Sequence, residues 1–386
     1  MKKNQNATLV AVVAAVAVAA VVAGAVVASQ QGPSALPGSG ASPLGRPIST
    51  ASSPVSPSGT PTLAPSTPAG VKKVKLQLAK LPKGRAPQLT YARGRKILGG
   101  AGQELTVPGD QQIIEVARLG NDTLVILATG TGTEMARFGF NEESGPRLLG
   151  VTSVTVDPRG IEAAYVTNKF GKDGGELKGG TITFEDTAYD APYPLRKLSR
   201  PNDFELRVLS IIDGKVFFRS KTTLESDTWQ LHSWDPASSK ANQVTTVTRP
   251  TALSANGELA ASMDTLADYA SCSAVTDVVQ GRRNWRTCDY SIAGFTPDAT
   301  VAYGGSAYQD GYADGISVAL NAITGNAITE WSGLSFRDAI PEDDQHLLIV
   351  ADDGPETKGA IIRCTIAGGA CELATELSTA ELVLGS

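Results

Sequence analysis

Histidine is almost missing from this chain: 386 residues hold two, His232 and His346. Neither is accompanied by a nucleophile or ligand motif, so both read as strand or turn residues rather than catalytic groups. No G-x-S-x-G, H-E-x-x-H, P-loop or EF-hand pattern occurs. The sequence therefore offers no catalytic residue, no metal ligand set and no cofactor motif. Acidic residues are missing from the first 70 positions, which carry only Lys2, Lys3 and Arg46 as charges. All 39 Asp and Glu follow, against 31 of the 34 Lys and Arg. That acidic balance excludes nucleic acid as a partner, because phosphate binding needs clustered cations. It also excludes docking of this part of the chain on an anionic lipid surface. Long amphipathic helical stretches are absent after residue 70. The 40 Gly and 22 Pro instead predict many turns between short strands.

The acid-free region has two parts. Ala7 to Ala28 is an uncharged, Ala/Val-rich stretch of 22 residues behind Lys2 and Lys3. As a helix it would span roughly 33 Å, the thickness of a bilayer core. The lysines then stay inside and the remainder crosses. A cleaved signal peptide is the competing reading, with small residues for a peptidase at Val26-Val27-Ala28. No Cys stands near the end of the run to support a lipoprotein anchor. Residues 29–70 hold nine Pro and ten Ser and no acidic residue. They bury too little apolar surface to offset their ordering entropy, which predicts a disordered linker. The expected layout is an anchor or signal at 1–28, a linker at 29–70 and one domain at 71–386.

Within that domain a unit repeats: strand, polar tight turn, strand. Its copies centre near Arg93-Gly94, Asn141-Glu142, Asp186-Thr187, Asp235-Pro236, Asp277-Val278, Asn321-Ala322 and Ala367-Gly368. A second turn type falls between them, as at Leu119-Gly120, Asp157-Pro158-Arg159-Gly160, Ile212-Asp213-Gly214, Ser254-Ala255-Asn256-Gly257, Thr296-Pro297-Asp298 and Ile340-Pro341-Glu342. Two interleaved turns at one period of about 45 residues give four strands per repeat, which is a propeller blade. The fold expected is all-β, a seven-bladed β-propeller with six blades as the fallback. A β-sandwich would also show regular turns, but not so even a period. Val74–Leu78 and Glu381–Leu384 are the apolar runs available to close the ring.

These turns carry a resemblance. Phe295-Thr296-Pro297-Asp298 followed by Val301-Ala302-Tyr303 is similar to the S-P-D-G signature of TolB-like and WD40-like propellers, as is Leu253-Ser254-Ala255-Asn256-Gly257. Membrane-anchored actinobacterial surface proteins carry heads of this kind. Ala299 stands where that signature has Gly, and Trp234-Asp235 is the single WD dipeptide. The resemblance implies a scaffold for binding, and a fold alone fixes no function.

Four Cys fall symmetrically about two of the turns: Cys272 with Cys288, and Cys364 with Cys371. An even count in an exported chain predicts two disulfides. A zinc site would want closer spacing and His partners.

The ligand-binding candidates lie in one loop, Tyr308, Asp310, Tyr312 and Asp314, with aromatic faces for stacking and carboxylates for hydrogen bonds. Arg282-Arg283-Asn284-Trp285-Arg286 reads as the return strand of the disulfide hairpin. Glu342-Asp343-Asp344 and Asp352-Asp353 are the acidic turns weighed for paired-carboxylate chemistry. The functional expectation is a monomeric, extracytoplasmic, membrane-tethered binding or scaffolding module. Its partner would be a protein, peptide or cell-envelope polymer, and membrane contact would run through the N-terminal anchor only. The alternative is a surface hydrolase or lyase using carboxylates at the propeller channel.

Overall fold

Period-2 alternation explains the architecture. In the strand Asp122–Thr129 the four residues Leu124, Val125, Ile126 and Leu127 are all fully buried. Alternate side chains leave opposite faces of a strand. Val125 and Leu127 enter one core cluster, while Leu124 and Ile126 enter the next. A sheet buried on both faces must be packed between two others.

The computed structural model describes residues 70–385, apart from 101, 141, 188–194, 268, 269 and 309–311. The expected anchor and nearly all of the expected linker lie outside the described residues, as does Asp310. Among the described residues no helix is long and apolar enough to cross a membrane.

A leading strand β1 (Lys72–Lys75) precedes six hydrogen-bonded sheets. The first contains β2 (Tyr91–Arg93), β3 (Lys96–Leu98) and β4 (Leu105–Thr106). The second is β5 (Ile113–Leu119), β6 (Asp122–Thr129), β7 (Gly132–Gly139) and β8 (Glu142–Glu143), with β9 (Leu148–Leu149) beside β7. The third is β10 (Val151–Val156), β11 (Glu162–Phe170), β12 (Glu176–Asp186) and β13 (Arg196–Arg200). The fourth is β14 (Phe204–Ile212), β15 (Lys215–Lys221), β16 (Gln230–Trp234) and β17 (Ala241–Thr248). The fifth is β18 (Pro250–Leu253), β19 (Leu259–Ala267), β20 (Ala270–Asp277) and β21 (Arg283–Thr287). The last runs β22 (Tyr290–Phe295), β23 (Val301–Ser306), β24 (Asp314–Asn321), β25 (Ala327–Pro341), β26 (His346–Asp352), β27 (Gly359–Thr365) and β28 (Cys371–Leu373). The final strand β29 (Leu382–Leu384) returns to pair antiparallel with β2 in the first sheet. The long β25 serves two partners: Ala327 to Ser332 pair with β24, and Asp338 to Pro341 pair with β26.

Seven core clusters are formed by the described residues, each shared by neighbours in this succession. One joins Leu382 and Leu384 of the last strand to Leu348, Val350 and Ile361 of β26 and β27, so the succession closes on itself. Antiparallel four-stranded sheets packed face to face in a closed succession are the arrangement of a β-propeller, which leaves only short edges exposed.

The turn signature has a physical basis. Asp157 Oδ1 accepts the Glu162 N–H at 2.7 Å, Ser254 Oγ accepts that of Leu259 at 2.9 Å and Thr296 Oγ1 that of Val301 at 3.1 Å. In each case a buried polar side chain caps the amide that opens the second strand. The turns then need one residue with positive φ: Gly160 at 70°, Gly257 at 71° and Ala299 at 59°. Ala299 therefore holds a left-handed conformation that ordinarily favours glycine.

Two sequence expectations need correction. Val74 does not help close the ring: β1 lies parallel against β25, with Val74 opposite Trp331. Arg93-Gly94 joins the second and third strands of its sheet, because β29 supplies the first. The expected closing run at Glu381–Leu384 does contain β29. Both predicted disulfides are formed, Cys272–Cys288 and Cys364–Cys371, each with Cα atoms 4.1 Å apart. Cys364 and Cys371 stand directly opposite in the β27–β28 register. Two disulfides and no free thiol place this domain in an oxidising, extracytoplasmic setting.

Candidate functional site

The first strands of the sheets share a second irregularity. A β-bulge interrupts the register of β5 near Ile114, of β10 near Thr152, of β14 near Leu209, of β18 near Thr251, of β22 near Ala293 and of β25 near Arg337. A bulge turns the following side chain relative to the regular pleat. The residue that resumes the register is Glu115 in β5 and Asp338 in β25. Equivalent positions in the repeat thus carry the two carboxyls.

These first strands surround a central cavity of about 560 Å³. Its wall takes Gly385, Glu115, Thr155, Arg207, Thr251, Gly294 and Ile340, each from a different first strand or its end, and Arg219 from β15. A side cavity of about 320 Å³ shares Thr251 and Ala293 with it and is lined by Asp314, Arg337 and Asp338.

Glu115 touches the void and is half-buried. Burial pushes its carboxyl up to about 7; the Arg207 charge and the Val154 amide oppose that rise, and Asp338 adds to it. Burial likewise raises the Asp338 carboxyl, against the Ala339 amide and Arg207. Arg207 faces the void with no hydrogen bond or ion pair among the described residues. Arg219 lies directly opposite it across the β14–β15 ladder. Arg219 donates to the Pro250 carbonyl at 3.0 Å and stacks on Trp229 at 5.1 Å, while its buried Nε has no partner. Burial, then the neighbouring Arg207, lowers the Arg219 guanidinium to about 10. None of these four charged residues stood out in the sequence. The available signal was a charge flanked by apolar residues within a first strand, Glu115 in β5 and Arg207 in β14.

The sequence-predicted loop is only partly assembled into this region. Asp314 lines the side cavity, and Tyr308 is exposed. Tyr312 donates to both oxygens of Asp352 at 3.3 Å, and Asp352 also holds Arg337 at 3.0 Å. Asp310 lies outside the described residues.

Other candidates serve the fold. Glu342 is buried and accepts from Arg363, which also reaches Glu372 and the carbonyls of Arg85 and Ala86. Asp344 accepts the Asp298 N–H at 2.8 Å, and Asp343 binds His346 Nδ1 at 2.9 Å. Trp285 packs against the core and donates to the Ala322 carbonyl at 2.7 Å, while Arg283 and Arg286 pair with Asp264. His232 stacks on Phe218 at 5.0 Å and lies 3.3 Å from Ser220 Oγ, whose hydroxyl donates to Asp203 at 2.8 Å. Burial, then the Arg200 charge, lowers His232 to about 4, so it is neutral at physiological pH. A Ser, a His and an Asp meet there, but the serine proton goes to the aspartate and all three are buried. A nucleophile needs the His as its base.

No family model matches the sequence, and no curated protein matches it. Solved structures do. A tricorn protease structure superposes with a TM-score of 0.51 at 15% identity, over 83% of this chain and 36% of that one. TolB from Acinetobacter baumannii gives 0.40 at 14% identity over 65% and 67% of the two chains. The β-propeller domain of the trilobed protease from Pyrococcus furiosus gives 0.48 at 9% over 69% and 85%. At these identities the likeness speaks for fold alone. The fold is a β-propeller, as the resemblance to TolB-like and WD40-like propellers implied.

Proposed function

We propose that this chain is an extracytoplasmic, membrane-tethered, seven-bladed propeller that binds a protein, peptide or cell-envelope ligand at its central channel. The eight-stranded sheet counts as two blades sharing β25, and the seven core clusters then become seven blade interfaces. The binding reading rests chiefly on one observation: all the first strands converge on a cavity of about 560 Å³ whose wall mixes apolar surface with unpaired charge. That size lies within the roughly 300–1,000 Å³ of small-ligand sites. Asp314, which lines the side cavity, extends this surface.

The tether is Ala7–Ala28 and the linker 29–70 holds the domain away from the bilayer. Sequencing the mature N-terminus tests this: a start at Ser29 makes the protein secreted. Binding is tested by a photo-crosslinker at Thr155 or Thr251 in intact envelopes, with a specific adduct expected. Adducts only at outer-strand control positions would refute a channel site.

A second reading has one observation in its favour. Glu115, raised to about 7 and facing the same void as Arg207 with Asp338 close by, has the proton affinity of a general acid. Under that reading the channel hydrolyses or eliminates its ligand, and Glu115→Gln abolishes turnover on a glycan or peptide substrate panel. Unchanged turnover in that variant would remove it.

A further inference from the structure

We propose that Arg207 and Arg219 form a clamp for a singly charged carboxylate, and that the channel takes the free C-terminal carboxylate of a peptide. This rests on the channel being the binding site and adds the chemistry of the bound group. The two arginines are cross-strand partners in the β14–β15 register and line the same cavity. Like charges placed directly opposite on a ladder destabilise it, so the pair is unfavourable until an anion arrives. Among the described residues Arg207 has no hydrogen-bond or ion-pair partner, and the buried Nε of Arg219 has none either. Those are the donors a carboxylate accepts from in fork geometry. Arg219 is already held by the Pro250 carbonyl and the face of Trp229, so little side-chain freedom is lost on binding.

The neighbouring acids choose between anions. Glu115 and Asp338 lie close enough to feel the Arg207 charge. A doubly charged phosphate meets repulsion from both. A singly charged carboxylate meets less. Apolar wall residues such as Val208, Leu253 and Phe295 suit the chain that precedes a peptide terminus.

The test is calorimetric titration of the full-length protein, solubilised in mild detergent. The probes are acetyl-Ala-Ala-Ala with a free carboxylate, the same peptide as its C-terminal amide, and inorganic phosphate. The acid is expected to bind at least about tenfold tighter than the amide. Arg207→Gln, a channel-facing change that also relieves the like-charge pair, should erase that difference without lowering the melting temperature. Arg219 also packs on Trp229, so its role is read without mutation, from shifts of the arginine Nε–H resonances on adding the acid. Equal binding of acid and amide, tighter binding of phosphate, or no binding of the acid overturns the proposal. So does binding that Arg207→Gln leaves intact. Channel crosslinking would survive each of these results, so failure of the clamp is distinct from failure of the channel site.

Discussion

Replacing Glu115 with Gln should abolish part of the pH dependence of stability, and its size follows from the channel. In the folded protein the carboxyl is raised from its ordinary 4.5 to about 7, chiefly by burial. Between those two values the folded state holds a proton that the unfolded chain has released. Stability is therefore full below pH 4.5 and falls as pH rises toward 7, where the folded group also ionises. At about 1.4 kcal/mol per pH unit the loss is at most ~3.5 kcal/mol. Glu115 borders the channel void, and water there lowers the figure toward ~2 kcal/mol. The Gln variant is uncharged throughout and escapes this loss. Urea denaturation of both proteins at about pH 4.5, 6 and 8 should give curves that agree at the lowest pH. The variant should gain ~2 kcal/mol by the highest. Other titrating groups cancel in the difference. A variant whose advantage is the same at all three values, or absent, would refute the claim that the channel desolvates this carboxyl.

Other parts of the structure give further tests. Arg363→Ala should cost about 3 kcal/mol in denaturant melts, because it takes the buried cation from the Glu342 carboxylate and leaves it only the Gln88 amide and the half-exposed Arg85. Replacing Cys272 and Cys288 together with Ser should cost about 3 kcal/mol, from the 16-residue separation they close; mass spectrometry of unreduced, alkylated protein should find no free thiol, and four would contradict the pairing. Ala299→Gly should raise stability by up to about 1 kcal/mol, because φ is 59° there. A lower thermal midpoint would mean that the buried methyl group matters more than the backbone conformation.

The sequence by itself determined what depends on neighbours along the chain. Strands followed from alternation, because side chains at successive positions must leave opposite faces. The second turn type followed from Asp157, Ser254 and Thr296, whose side chains cap amides five residues on. Both disulfides followed from cysteines placed about single hairpins, and they carried the oxidising compartment with them. Local chemistry also misled in places. Arg93-Gly94 has the composition of the repeat's main turn, yet it joins different strands of its sheet, since the strand completing that sheet comes from the other end of the chain. Val74 looked like a closing strand, but only packing shows that Trp331 is its partner. The acidic turns that drew notice, Glu342-Asp343-Asp344, are occupied with Arg363, His346 and a backbone amide. The channel charges were invisible because Glu115, the Arg207–Arg219 hairpin pair and Asp338 lie far apart in sequence and meet only where the first strands converge. Desolvation and proximity act through space, so tertiary structure alone decides which carboxyl holds its proton and which arginines face the channel.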